Sequence, residues 1–95
     1  MAPRYRIQIL PRAARELAAL PYDVRQRVDT KIQSLADNPR PQGVEKLAGE
    51  DGLYRVRAGD YRIVYSIQDD VLLVLVVRIG HRGEVYRSLR KRRDK

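Results

Sequence analysis

The chain has 95 residues, enough for one hydrophobic core and not two. It is 43% hydrophobic and 34% charged, with a formal net charge of +8. With no cysteine and one histidine, disulfide frameworks, thiolate catalysis and cysteine- or histidine-rich metal sites are excluded, and no metal or cofactor is expected. The longest apolar run, Val71 to Val77, is far short of the roughly 20 residues that span a bilayer. No apolar export segment precedes the first predicted strand, so a cytoplasmic protein with no membrane association is expected.

Arg4 to Leu10 alternates polar and apolar residues and predicts a strand, closed by Pro11. Arg12 to Leu20 predicts a helix with Ala13, Ala14, Leu17 and Ala18 on one face, broken by Pro21. A second helix is predicted from Tyr22 to Asp37, with the stripe Val24, Val28, Ile32 and Leu35. Asn38-Pro39-Arg40-Pro41 stops it, because proline cannot continue the hydrogen-bond ladder. After a loop holding Lys46 and Leu47, three strands are expected: Leu53–Ala58, Tyr61–Gln68 and Val71–Ile79, with turns at Gly59-Asp60 and Asp69-Asp70. The third is apolar on both faces and should lie inside the sheet. A short helix from Gly83 or Glu84 through Leu89 should then run into a basic tail at about 87–95. The expected fold is a single α+β domain over 1–95, in the order β-α-α-β-β-β-α. A helical hairpin packs on one face of a mostly antiparallel four-stranded sheet, followed by the short C-terminal helix.

Sixteen of the twenty basic residues are arginine, whose planar fork grips phosphate in two places and stacks on bases. Residues 1–52 have a net charge of +2 and residues 53–95 a net charge of +6. Alternation projects Arg55 and Arg57 to one side of their strand. Arg62, just past the turn, should fall across from this pair, and Arg82 sits beyond the end of the last strand. Four guanidinium groups would then meet in one concavity, a surface for a polyanion; alternatively they point to solvent and pair with scattered carboxylates. Asp60 and Glu84 are the acids nearest to them in sequence.

Tyr86 follows Arg82 at helical spacing and either stacks on an unpaired base or, more commonly for such a tyrosine, packs the last helix to the sheet. His81 is expected at the mouth of the cleft beside Arg82. It is the only imidazole available for proton transfer near neutrality, although a lone histidine is more often structural. Arg87, Arg90, Lys91, Arg92, Arg93 and Lys95 form a run dense enough to hold RNA backbone, or a solvated end.

Leu53 to Tyr65 (LYRVRAGDYRIVY) is preceded by NPRP at 38–41 and KLAG at 46–49 and followed by IGHRGEVY at 79–86. Together these resemble the RelE/ParE toxin superfamily, RelE branch, over essentially the whole chain. The resemblance implies a ribosome-dependent endoribonuclease, the toxin of a toxin–antitoxin pair. It would enter the A site of the 30S subunit, contact 16S rRNA, and cleave the bound mRNA by attack of a ribose 2′-hydroxyl on the adjacent phosphate. It also implies a RelB-like antitoxin as partner. By this resemblance Arg55, Arg57, Arg62 and Arg82 are the catalytic cations and Tyr86 the base-stacking residue. Lysines stand at the positions of Arg55 and Arg57 in the best-known RelE-type enzymes, one of them the base. Arginine, with a pKa above about 12, is a poor proton acceptor, so the role passes to His81 or Tyr86, or electrostatics and positioning suffice. The competing readings are a ParE-like DNA gyrase inhibitor without nuclease activity and an inactive nucleic-acid-binding module. The retained arginine set argues against both.

Overall fold

The computed structural model describes residues 4–47 and 52–81. The expected C-terminal helix and basic tail lie outside them. The elements are β1 (Arg6–Ile9), α1 (Pro11–Ala18), α2 (Tyr22–Ser34), β2 (Glu45–Lys46), β3 (Leu53–Ala58), β4 (Tyr61–Gln68) and β5 (Leu73–His81). Pro11 does two jobs. It cannot extend β1, and at the first helical position its missing N–H is no loss. Helix α1 ends two residues before the expected Leu20, whose N–H closes a tighter turn onto the Leu17 carbonyl ahead of Pro21. Helix α2 stops at Ser34 rather than Asp37, and the chain turns through 35–37 into the Asn38-Pro39 break.

The strands run β1-β5-β4-β3-β2 across the sheet, giving five among the described residues where four are predicted. The addition is β2: the stretch read as a loop pairs with β3, Glu45 opposite Arg55 and Lys46 opposite Tyr54. All pairings are antiparallel except β1 with β5, which is parallel. β5 lies between β1 and β4, as a strand apolar on both faces requires. It begins at Leu73, not Val71, because Leu72 turns through a left-handed conformation at φ 53 before the ladder starts.

One irregularity sets which residues share a face. Val64 pairs with Arg78, but Tyr65 pairs with Val76, so Val77 is an extra residue with no partner of its own. Such a bulge shifts the two-residue alternation by one. Val74, Val76 and Ile79 thereby all reach the core, and Arg78 turns to the other face with Val64.

Both helices cover the face carrying Val56, Ala58, Ile63, Tyr65, Val74, Val76 and Ile79, meeting them with Ala13, Val28, Ile32 and Leu35. Val28, Ile32 and Leu35 are fully buried, each contributing about 1.5–3 kcal/mol of apolar transfer, so the predicted α2 stripe is the core stripe. The NPRP segment is fastened beneath. The buried Tyr65 hydroxyl donates to the Pro39 carbonyl at 2.7 Å, and burial raises its pKa well above that of an ordinary phenol. Arg40 lies over the Tyr54 ring at 5.5 Å and donates twice to Asp69, which also accepts from the Tyr5 hydroxyl at 2.6 Å. These bonds tie the chain before β1, the loop after α2 and the β4–β5 turn together.

Candidate active site on the open sheet face

Cross-strand register builds the site. Arg57 of β3 stands directly opposite Arg62 of β4, and Gly80 of β5 completes that row. The next row is Arg55, Val64 and Arg78, with Glu45 of β2 at its outer end. Both rows lie on the face opposite the helices, where the apolar contact is a small cluster of Val64, Leu47 and Leu53. Alternation therefore brings Arg55, Arg57 and Arg62 to one surface, as predicted. Arg57 is exposed and Arg55 half-buried. Gly80 carries no side chain, so β5 itself places none beside Arg62 in that row.

Two residues that sequence reasoning did not single out belong to this face. Arg78 is 6% exposed and sits in the Arg55 row because of the bulge. Its Nε and Nη2 each donate to Glu16 Oε2 of α1 at 2.9 Å, while Glu16 Oε1 accepts the Ile79 backbone N–H at 2.7 Å. β1 has ended at the level of Val76, so this carboxylate replaces the missing strand neighbour and pins α1 to β5. The second residue is Glu45, whose Oε1 accepts from Arg55 Nη2. Asp60 and Glu84 are nearer the arginines in sequence, and only the pairing of β2 with β3 brings in an acid ten residues before Arg55.

His81 stands elsewhere. It pairs with Tyr61, on the helix side with Ala58, and its ring meets the Tyr61 ring edge-on at 5.4 Å. Strict alternation along β5 would have turned it toward the arginines; the bulge reverses that. The expectation that His81 faces the arginine cleft is corrected accordingly. Arg82, Tyr86, Arg87, Arg90, Lys91, Arg92 and Arg93 lie outside the described residues. Among the described residues no group of three or more histidine or acidic side chains comes together to hold a metal, and no helix is long and apolar enough to cross a membrane.

A helical hairpin on one sheet face, with arginines set in register on the other, defines a small α+β protein with a cationic sheet surface. Residues 7–86 match the family described as ParE toxin of type II toxin–antitoxin system, and the chain belongs to the RelE/ParE superfamily of toxins. It is 34% identical over 84 residues to the toxin RelE of Mycobacterium tuberculosis, covering 87% of each chain. It is 33% identical over 85 residues to the mRNA interferase toxin RelE of Escherichia coli K12, covering 85% of this chain and 88% of the relative. The fold superposes on RelE in the RelE–RelB complex of Pyrococcus horikoshii with a TM-score of 0.74 at 30% identity, covering 85% of this chain and 98% of the other.

Proposed function

We propose that this toxin is an endoribonuclease that cuts messenger RNA in the A site of the 30S ribosomal subunit and is neutralised by a RelB-like antitoxin. The observation that carries the reading is the directly opposed pair Arg57 and Arg62, with Arg55 one row away, on the face the helices leave open. Two relatives are named mRNA interferases, which supports the same class. In the reaction the ribose 2′-oxygen attacks the adjacent phosphorus and the 5′-oxygen leaves, giving a 2′,3′-cyclic phosphate and a free 5′-hydroxyl. Negative charge builds on the phosphoryl oxygens between those steps. Guanidinium groups fixed on neighbouring strands meet that charge without reorganising, an effect worth about 10²–10³ in rate for one well-placed donor. Arg82 would complete the set, Tyr86 would stack on a base, and Arg87, Arg90, Lys91, Arg92 and Arg93 would hold ribosomal RNA backbone by counterion release.

The net charge of +8 suits an acidic antitoxin, and the solved relatives include toxins in complex with RelB. The decisive experiment is induced expression followed by mapping of messenger ends. Cuts inside codons that vanish when translation is blocked are expected, and intact messenger would overturn the reading. One observation favours a second reading, inhibition of DNA gyrase, because the matching family carries the ParE description. That reading predicts collapse of DNA supercoiling ahead of any loss of translation.

A further inference from the structure

If the chain is the nuclease proposed above, the 2′-hydroxyl proton needs an acceptor, and arginine cannot be one. Register gives the side chains on the open face of the strands: Arg6 and Gln8 of β1, Leu73, Leu75 and Arg78 of β5, Arg62, Val64, Ser66 and Gln68 of β4, Leu53, Arg55 and Arg57 of β3, and Glu45 of β2. Among these described residues one alone is a carboxylate. We infer that Glu45 is the general base: the edge strand β2 exists to carry this carboxylate to the arginine row, where Arg55 holds it.

The geometry supports a working group rather than a passive counterion. Arg55 Nη2 donates to Oε1. Oε2 has no hydrogen bond among the described residues, and the side chain is 58% exposed, open to an incoming ribose. Arg55 is 19% exposed, so the cation that aims the carboxylate is the better-fixed partner. Lys46 pairs with Tyr54 and so belongs to the opposite face, leaving Glu45 as the β2 residue turned to the site. The step balances without a cofactor. Glu45 Oε2 takes the 2′-hydroxyl proton as the O2′–P bond forms. The P–O5′ bond breaks, O5′ takes a proton from water, and Glu45 returns its proton to solvent.

Register fixes the charged groups that share the open face with Glu45. Arg55 lies directly across, Arg57 and Arg62 are one row on, and Arg78, itself paired with Glu16, is three strands away in the same row. A carboxylate accepts a proton only in its ionised form, so a base at Glu45 gives a rate that rises with pH through the acid range and then levels off.

The test is single-turnover cleavage of messenger on programmed ribosomes across pH, with the fold checked by circular dichroism. Glu45→Gln is expected to lower the plateau rate by about 10²–10⁴ and to abolish the acid limb, and Glu45→Asp to keep the limb at reduced rate. A purely structural counterion predicts otherwise. With Arg55 released, Glu45→Gln would bind RNA more tightly and cut at the wild-type rate with the limb intact; that outcome overturns the assignment. A wild-type chain that leaves messenger uncut overturns the nuclease reading itself, and the Glu45 role with it. Wild-type cleavage with an unaffected Glu45→Gln variant overturns only the latter.

Discussion

Arg57 and Arg62 face each other directly across β3 and β4. Like charges in that position destabilise a sheet by about 0.2–1 kcal/mol, a penalty that a fold under selection for stability alone would shed. Arg57→Gln is therefore expected to raise the melting temperature by a few degrees at low ionic strength, less in high salt, while lowering cleavage. Thermal melts at two salt concentrations beside a cleavage assay test the trade. A variant that is less stable and equally active would show that Arg57 serves the fold.

Removing a charge that stabilises the transition state should act on rate and spare the fold. Arg62→Ala and Arg82→Ala are each expected to lower the single-turnover rate by about 10² or more, both remaining folded. Wild-type rates from a folded double variant would remove these residues from the site.

How much of this was legible in the sequence follows from the physics of each element. The α2 stripe and strands β3 and β4 were readable, because a 3.6-residue period and a two-residue period each leave a clear apolar trace. The Arg57–Arg62 opposition was readable too, since a tight turn at Gly59-Asp60 fixes the register beyond it. The bulge at Val77 was not: a strand apolar on both faces shows no break in pattern when its phase slips by one. Arg78 and His81 lie beyond that slip, and for both the face is the reverse of simple alternation. Glu45 escaped notice because a two-residue edge strand has no periodicity of its own.

Glu16 is expected to matter more than an exposed helix residue should. It holds the buried Arg78 and the Ile79 N–H together. Glu16→Ala leaves an uncompensated charge and an unsatisfied donor. A cost of about 2–3 kcal/mol is expected, below the 3–5 of a fully buried pair because Glu16 is partly exposed. Glu16→Leu combined with Arg78→Leu should recover most of it, since both charges leave together. Urea unfolding of the single and double variants measures this. Equal losses for the two would show that the pair is not coupled.

The Asp69 staple gives an acid-range signature. Its hydrogen bonds from Arg40 and then Tyr5 hold its carboxyl down to about 2 from 3.8. A carboxyl depressed on folding contributes stability that is complete above its unfolded pKa and lost as pH falls through the folded one. The loss should therefore fall between about pH 4 and pH 2, and Asp69→Asn should flatten the stability profile in that window. An unchanged profile in Asp69→Asn would mean that other carboxyls govern acid unfolding.

The last expectation concerns proton transfer from the other side of the sheet. His81 meets Tyr61 edge-on and shares a row with Ala58, so the sheet stands between its ring and the Arg57–Arg62 pair. A base must come within about 3 Å of the proton it takes, directly or through one water. His81→Gln is thus expected to cut at nearly the wild-type rate and to keep the acid limb. Arg57→Lys should also retain much activity: lysine preserves the charge, and its pKa falls among neighbouring cations, which adds a second proton acceptor near the phosphate. Arg57→Gln removes the charge and should be the severe substitution. If His81→Gln instead loses both the limb and the rate, the imidazole reaches the scissile phosphate, and the proton path runs around the end of β5 rather than through β2.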